Sequence, residues 1–255
     1  MSLYSLDTVH NAHPDPSIEA LLEVVREEVA RFPFTPDRDA GSSQEVLEAF
    51  DQARPRLNVI ASLLRDVEGC GADISTGIGF LPLVVRRLGL QIVATEADPE
   101  SARFALAHGI SVQPWTIGRE QPPIAPESLV FLVFGEVLEH LKLSPIPILE
   151  QLARLLRPGG RLILTTPNIA RQSNVEALVA GENFLEPFPD DLPLDIDATD
   201  FLEHVREYSV REVVDAVEAA GFGIDEVLMT GWGAQGYQPR VNPYSNDIMV
   251  VVATA

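Results

Sequence analysis

From residue 71 onward, short apolar runs alternate with helical stretches, and this alternation limits the available folds more than any other feature of the chain. Residues 72–75 read as a strand, 80–88 as a helix stopped at Gly89, and 91–96 as a second strand. Asp98 then caps a helix with Pro99 at its first position and Gly109 past its end. Residues 111–115 form a weaker third strand, and the unbroken apolar run 129–134 suits a central parallel strand. A helix over 144–156 stops at the Pro158-Gly159-Gly160 turn, before a fifth strand over 161–165. Strands separated by helices pair in parallel, are covered on both faces, and present ligand sites at their carboxyl ends.

Both ends of the chain depart from this pattern. Ser209 and Glu212 form a capping box for a helix reaching Ala220, with Gly221 as its stop. Two strand-like runs, 223–229 and 247–253, follow with no helix between them, so they pair antiparallel or lie apart. At the other end, Ser17 is the expected N-cap of a helix carrying Ile18, Leu21, Leu22, Val25 and Val29 on one face, ended by Pro33 and Pro36. A second helix is expected over 44–66, interrupted at Pro55. The predicted organisation is an N-terminal helical arm or cap over 1–68 and an α/β domain over 69–255, with a substrate-side insertion at 171–205.

Composition narrows the partners. One cysteine in 255 residues excludes a disulfide framework, and no apolar run approaches bilayer length. The first thirty residues are rich in acids and lack a secretory pattern, so a cytoplasmic location is expected. A formal charge of −20 repels phosphate backbones. The expected partner is a small neutral or cationic molecule, with no nucleic acid and no membrane; a homodimer stays open.

Three segments carry chemistry. Asp73-Ile74-Ser75-Thr76-Gly77-Ile78-Gly79 joins the first strand to its helix; its glycines let a ligand approach the backbone, and its acid accepts hydrogen bonds. Pro82 stands where a dinucleotide fingerprint needs a third glycine, which weakens a pyrophosphate reading. Glu96, seventeen residues past Gly79 at the end of the second strand, is placed to accept both hydroxyls of a ribose. The run Phe134-Gly-Glu-Val-Leu-Glu-His-Leu141 brings Glu136, Glu139 and His140 to the same edge.

These residues, with Leu155-Leu-Arg-Pro-Gly-Gly160, Thr166-Pro-Asn168 and His204-Val-Arg-Glu-Tyr-Ser209, resemble the class I S-adenosylmethionine-dependent methyltransferases over residues 69–253. The resemblance implies a Rossmann-like, seven-stranded, mostly parallel sheet with an antiparallel C-terminal hairpin and S-adenosylmethionine as cofactor. It implies that Asp73, Ser75, Thr76, Gly77 and Gly79 meet the amino-acid part of the cofactor. Glu96 would hold the ribose, with Ala97, Trp115 and Glu136 as further contacts. The sequence departs from the family at Ser75, usually glycine, and at Trp115-Thr116, where an acid commonly meets the adenine; Trp115 either walls the adenine or is a core aromatic.

Methyl transfer to a hydroxyl needs alignment and a base for the departing proton. His140, His204 and then Tyr208 are the candidates, although His140 as a loop anchor stays open. Glu136, Glu139, His140 and His204 also look like the metal set of small-RNA 3′-terminal 2′-O-methyltransferases, yet the same Glu-Val-Leu-Glu-His string occurs in metal-free enzymes resembling the quinone-biosynthesis type. His10, His13 and His108 are expected at the surface, and Cys70 as an inert core residue. Phe184, Phe188 and Leu192 in the insertion, the helical arm, and Trp232 and Tyr237 in the 231–239 loop are expected to wall an acceptor pocket. The expected function is methylation of a small molecule, most naturally at oxygen. The alternatives are the metal-dependent RNA enzyme and a non-catalytic member of the fold.

Overall fold

The computed structural model describes residues 4–36, 41–185, 204–233 and 239–255. The expected strands form one sheet from β2 (Cys70–Asp73), β3 (Gln91–Glu96), β4 (Ser111–Pro114), β5 (Leu129–Gly135), β6 (Leu156–Pro167), β7 (Gly223–Thr230) and β8 (Ile248–Thr254). An unforeseen β1 (His10–Asn11) joins the edge beside β7, giving the order β1-β7-β8-β6-β5-β2-β3-β4. β8 alone runs antiparallel to its neighbours, so β7 and β8 are the predicted antiparallel pair. β5, buried on both faces except at Gly135, lies beside β2. The chain reverses its direction of travel across the sheet between these two strands, so a crevice opens at their carboxyl ends.

Helices cover both faces. On one, α1 (Pro16–Arg31), α2 (Ser43–Leu64), α3 (Phe80–Arg87) and α4 (Arg103–Ala107) bury Leu22, Val25, Phe50, Ile60, Val84 and Phe104 together. On the other, α5 (Pro145–Ala153) and α7 (Val210–Ala219) bury Leu149, Leu152, Val213 and Val217 against the sheet. α6 (Gln172–Ala180) opens the insertion. The arm shares its core with α3 and α4, so the change of pattern near residue 68 is not a gap in packing.

Four local expectations are corrected. The N-cap of α1 is Asp15, which accepts the Ser17 N–H at 2.8 Å, because Pro16 takes the first helical position. α2 runs unbroken through Pro55, held against α1 by a paired Arg26–Asp51 contact at 2.6 and 2.8 Å. Tertiary contact there outweighs the missing N–H. The Pro158-Gly159-Gly160 turn lies inside β6, with Gly159 at φ +77° donating its N–H to the Ala255 carbonyl. His108 is half-buried against Phe104, with its Nε2 3.4 Å from Glu28. His10 and His13 are exposed as expected, and Cys70 is half-buried with its thiol raised by burial.

Candidate functional site

Three strand ends build the crevice. After β2 the chain bends through Ser75, at φ +55°, Gly77, at +56°, and Gly79, at +96°. Thr95 of β3 pins this bend: its hydroxyl accepts the Ser75 N–H at 3.2 Å and its carbonyl the Thr76 N–H at 2.9 Å. The left-handed conformation costs a residue with a Cβ about 1–2 kcal/mol, so Ser75 keeps a glycine geometry at the expense of strain. Gly79 is required sterically, because an added Cβ would lie 2.3 Å from the Ala105 Cβ, whereas the Cα of Gly77 faces open space.

Asp73 is buried and accepts the Thr76 hydroxyl at 2.6 Å. Burial raises its carboxyl to about 7, against the opposing pull of Thr76 and Arg56. Glu96 stands beside the bend, with Oε2 accepting the Gly77 N–H and Oε1 the Ala97 N–H, both at 2.7 Å. Each oxygen keeps a further lone pair. Trp115 is only 1% exposed and donates its indole N–H to the Glu120 carbonyl at 3.1 Å. The ring belongs to the core and offers no open face for stacking, because the strand end turns it inward.

β6 organises the acidic segment after β5. The Thr165 hydroxyl donates to Glu136 at 2.8 Å and the Thr166 hydroxyl to Glu139 at 2.9 Å. Glu136 also takes the left-handed conformation, φ +55°, and its other oxygen lies 2.9 Å from Arg56 of α2. Glu139 is buried; its carboxyl is raised by burial, opposed by Thr166 and the two nearby imidazoles. Its backbone carbonyl accepts the N–H groups of Val205 and Arg206 at 2.8 and 3.2 Å, which brings His204 beside it. The His140 and His204 rings meet edge to face at 5.1 Å. Among the described residues, Glu139, His140 and His204 each offer a ligand atom within 4.8 Å of the others. Glu136, expected in the same set, is held by Thr165 and Arg56 outside this group.

Arg56 was not legible as a site residue. Burial lowers its guanidinium to about 10, against the pull of Glu139 and Asp73. Its Nη1 is buried without an aligned hydrogen-bond partner despite its proximity to Glu136. Arg56 lines a cavity of about 70 Å³ with Asp73, Ser75, Thr76 and Gly135. It also lies under Trp232, 5.4 Å from the ring centroid. Trp232 in turn lines a second cavity of about 500 Å³ with Glu136, Glu139, His140, Arg171, His204 and Asp247. Arg56 and Glu136 therefore stand at the wall between the two spaces. Tyr208 lies outside both: its side chain is buried in the core of the α5–α7 face, with Arg206 over its ring at 5.3 Å. Phe188, Leu192 and Tyr237 lie outside the described residues.

A larger open groove, about 1210 Å³, lies between Tyr4, Glu218 and Asp225. It sits at the amino end of β7, on the opposite edge of the sheet from the crevice, and takes no part in this site.

The strand order, with a glycine bend after β2 beside an acid that ends β3, is that of the class I S-adenosylmethionine-dependent methyltransferase fold. The chain belongs to this family: the profile described as "Methyltransferase domain" matches residues 46–227. It is 32% identical over 157 residues to a protein of Xanthomonas oryzae named ubiquinone biosynthesis O-methyltransferase, and 30% identical over 156 residues to its Xanthomonas campestris counterpart. Each match spans 59% of this chain and 64% of the relative. Among solved structures, one from Thermotoga maritima described as a possible histamine N-methyltransferase superposes with a TM-score of 0.57 at 20% identity, covering 78% of this chain and 87% of that one. A methyltransferase from Haloferax volcanii, solved with the activator Trm112, gives 0.55 at 17% identity and covers 93% and 95%. These two likenesses show the fold alone.

The crevice fits the family's cofactor. The Arg56 guanidinium, which lines the small cavity, suits a carboxylate, the Asp73 carboxyl an ammonium, and the remaining Glu96 lone pairs a diol, while the open side of Gly77 leaves room for a ligand against the backbone. The 70 Å³ cavity has room for the amino-acid end only, and Glu96 stands outside its lining, beside the bend at Gly77.

Proposed function

We propose that this chain transfers the methyl group of S-adenosylmethionine to a hydroxyl of a small organic acceptor. The observation that carries the reading is the pair of adjoining cavities. One is walled by Asp73 and the glycine bend, the other by Glu139, His140 and His204, with Arg56 and Glu136 between them. A space of about 500 Å³ suits a single compact molecule and favours it over a polymer. The curated relatives' name, O-methyltransferase, supports oxygen as the acceptor atom.

When bound, the cofactor supplies a methyl group on a positively charged sulfur, which is already a strong electrophile. Asp73 and Arg56 would hold its ammonium and carboxylate, and Glu96 its ribose. The protein's contribution is alignment and exclusion of water. His140 and His204 line the acceptor space, where either imidazole would take the proton from the acceptor hydroxyl. Hydrogen bonding to Glu207, and then the charge of Glu139, raises the His204 imidazole above its ordinary value, and so strengthens it as a base. Tyr208, buried and with its phenol raised by burial, does not share this task.

The convergence of Glu139, His140 and His204 favours a second reading, in which a divalent cation on these three ligands polarises the acceptor hydroxyl. Labelled S-adenosylmethionine offered with pools of small hydroxylated compounds tests both. The first reading expects an alkali-stable methyl ether, formed equally after treatment with a chelator. Loss of turnover on chelation, restored by a divalent ion, selects the second. Label entering RNA or protein, and no small molecule, refutes the proposal.

A further inference from the structure

Among the described residues, Glu207 is the most enclosed carboxylate outside the reaction path, with its side chain 1% exposed. Its two oxygens are divided between two tasks. Oε2 accepts the Asn174 amide at 2.8 Å and a short charged bond from Arg171, both at the start of α6. Oε1 faces Nδ1 of His204 at 3.2 Å. The donors are themselves fixed, since the same Asn174 amide group reaches the Ile169 carbonyl at 3.1 Å. Burial alone would raise this carboxyl, but the bonds from His204, Arg171 and Asn174 hold it at about 2. Ion-paired with Arg171 and accepting from the Asn174 amide, it is a carboxylate, able only to accept.

We propose that Glu207 is the positioning residue of the acceptor site: it locks His204 in the Nδ1–H tautomer and leaves Nε2 as the ring's only proton acceptor. An acceptor-only oxygen opposite Nδ1 requires the proton to sit there. Glu139, His140 and Arg171 are the other charged or titratable groups around the ring, and none of them hydrogen-bonds it. Arg171 and Asn174 hold Glu207 from the entry to the insertion and His204 meets it from the exit, so one carboxylate joins Arg171 and His204, both of which line the acceptor cavity. The catalytic value of the lock rests on the reading of His204 as a proton acceptor. A metal-bound His204 needs the same support from its second nitrogen.

Glu207→Gln is nearly isosteric and makes a directional prediction. Arg171 and Asn174 both donate at the Oε2 position, so the glutamine carbonyl turns to them and its NH₂ faces His204. Nδ1 must then accept, and the proton moves to Nε2. Nitrogen-15 NMR of the histidine rings in the full, ligand-free chain reads this directly, at a pH that keeps the ring neutral and with His204→Gln for assignment. The expected result is Nδ1–H in the wild type and Nε2–H in Glu207→Gln. His108, whose Nδ1 lies 2.8 Å from the Phe104 carbonyl, stays Nδ1–H in both. A wild-type His204 that is Nε2–H or an even mixture overturns the proposal, as does an unchanged tautomer in the variant. If Glu207→Gln does not fold, the wild-type spectrum decides, with Glu207→Asp expected to keep Nδ1–H. Calorimetry with S-adenosylhomocysteine separates the two claims, because Glu207→Gln keeps wild-type affinity. A wild type that binds none refutes the methyltransferase reading and leaves the tautomer result standing.

Discussion

Gly77 and Gly79 lie two residues apart in one bend, and alanine at each should separate folding from binding. At Gly79 the backbone has φ +96° and the new Cβ would meet the Ala105 Cβ at 2.3 Å. Left-handed strain of about 1–2 kcal/mol and overpacking of about 1–3 kcal/mol give a loss of roughly 2–5 kcal/mol. For a chain of this size that is a fall in Tm of roughly 4–20 °C. At Gly77 the Cβ meets nothing within 4 Å. Strain of about 1–2 kcal/mol is partly offset by about 0.4–1 kcal/mol from a stiffer unfolded chain, leaving a net cost near 1 kcal/mol. The methyl group would, however, stand in the open space over Gly77, beside Glu96, where the proposed ligand lies against the backbone. Gly77→Ala should melt within a few degrees of the wild type yet bind S-adenosylhomocysteine at least tenfold more weakly, a loss of about 1.4 kcal/mol. Thermal unfolding and titration calorimetry on both variants decide the matter. A Gly79→Ala protein as stable as the wild type refutes the steric argument. A Gly77→Ala protein with wild-type affinity refutes the placement of the ligand.

Three further outcomes are expected. Arg56→Met keeps the packing of the side chain's stem but removes its charge. It should weaken S-adenosylhomocysteine binding by about 10–100-fold, the scale of one charged hydrogen bond, while leaving methylthioadenosine, which has no amino-acid end, unaffected; equal losses for both ligands would place Arg56 elsewhere. Asp73, with its carboxyl raised to about 7, is mostly protonated in the free fold below that pH. Its contribution to stability is therefore present below the ordinary carboxyl value and lost as pH rises through about 7. An ammonium ligand favours the ionised form, so cofactor affinity should climb with pH up to about 7, with proton release visible between buffers of different ionisation heat. Asp73→Asn should bind weakly and without this slope, and a wild type whose affinity ignores pH contradicts the assignment.

Periodicity and punctuation made the sheet legible: residues 91–96 coincide with β3, and the Ser209–Glu212 box caps α7 as read. The misreadings arose where tertiary contact overrides a local rule. Pro55 looks like a break until α1 is packed along α2, and the two residues of β1 have no pattern of their own before β7 lies beside them. The site divides in the same way. Asp73, the glycine bend and Glu96 lie near one another in sequence, joined by a strand and a helix, so their spacing carries their relation. Arg56 belongs to an arm helix and reaches the crevice only because α2 packs on the sheet with that turn beside Glu136, just after β5. Glu207 lies in a legible segment, yet its role depends on Arg171 and Asn174, 36 and 33 residues away. Trp115 was ambiguous in sequence, because an aromatic at a strand end turns inward or outward according to neighbours that spacing does not reveal.

The account stands most directly on Glu96. Titration calorimetry of S-adenosylhomocysteine against the wild type and Glu96→Ala measures its hold on the ribose. Two charged hydrogen bonds at about 1.5–3 kcal/mol each predict a loss of at least 100-fold. Equal affinity in the two proteins, or no binding by the wild type, would contradict it.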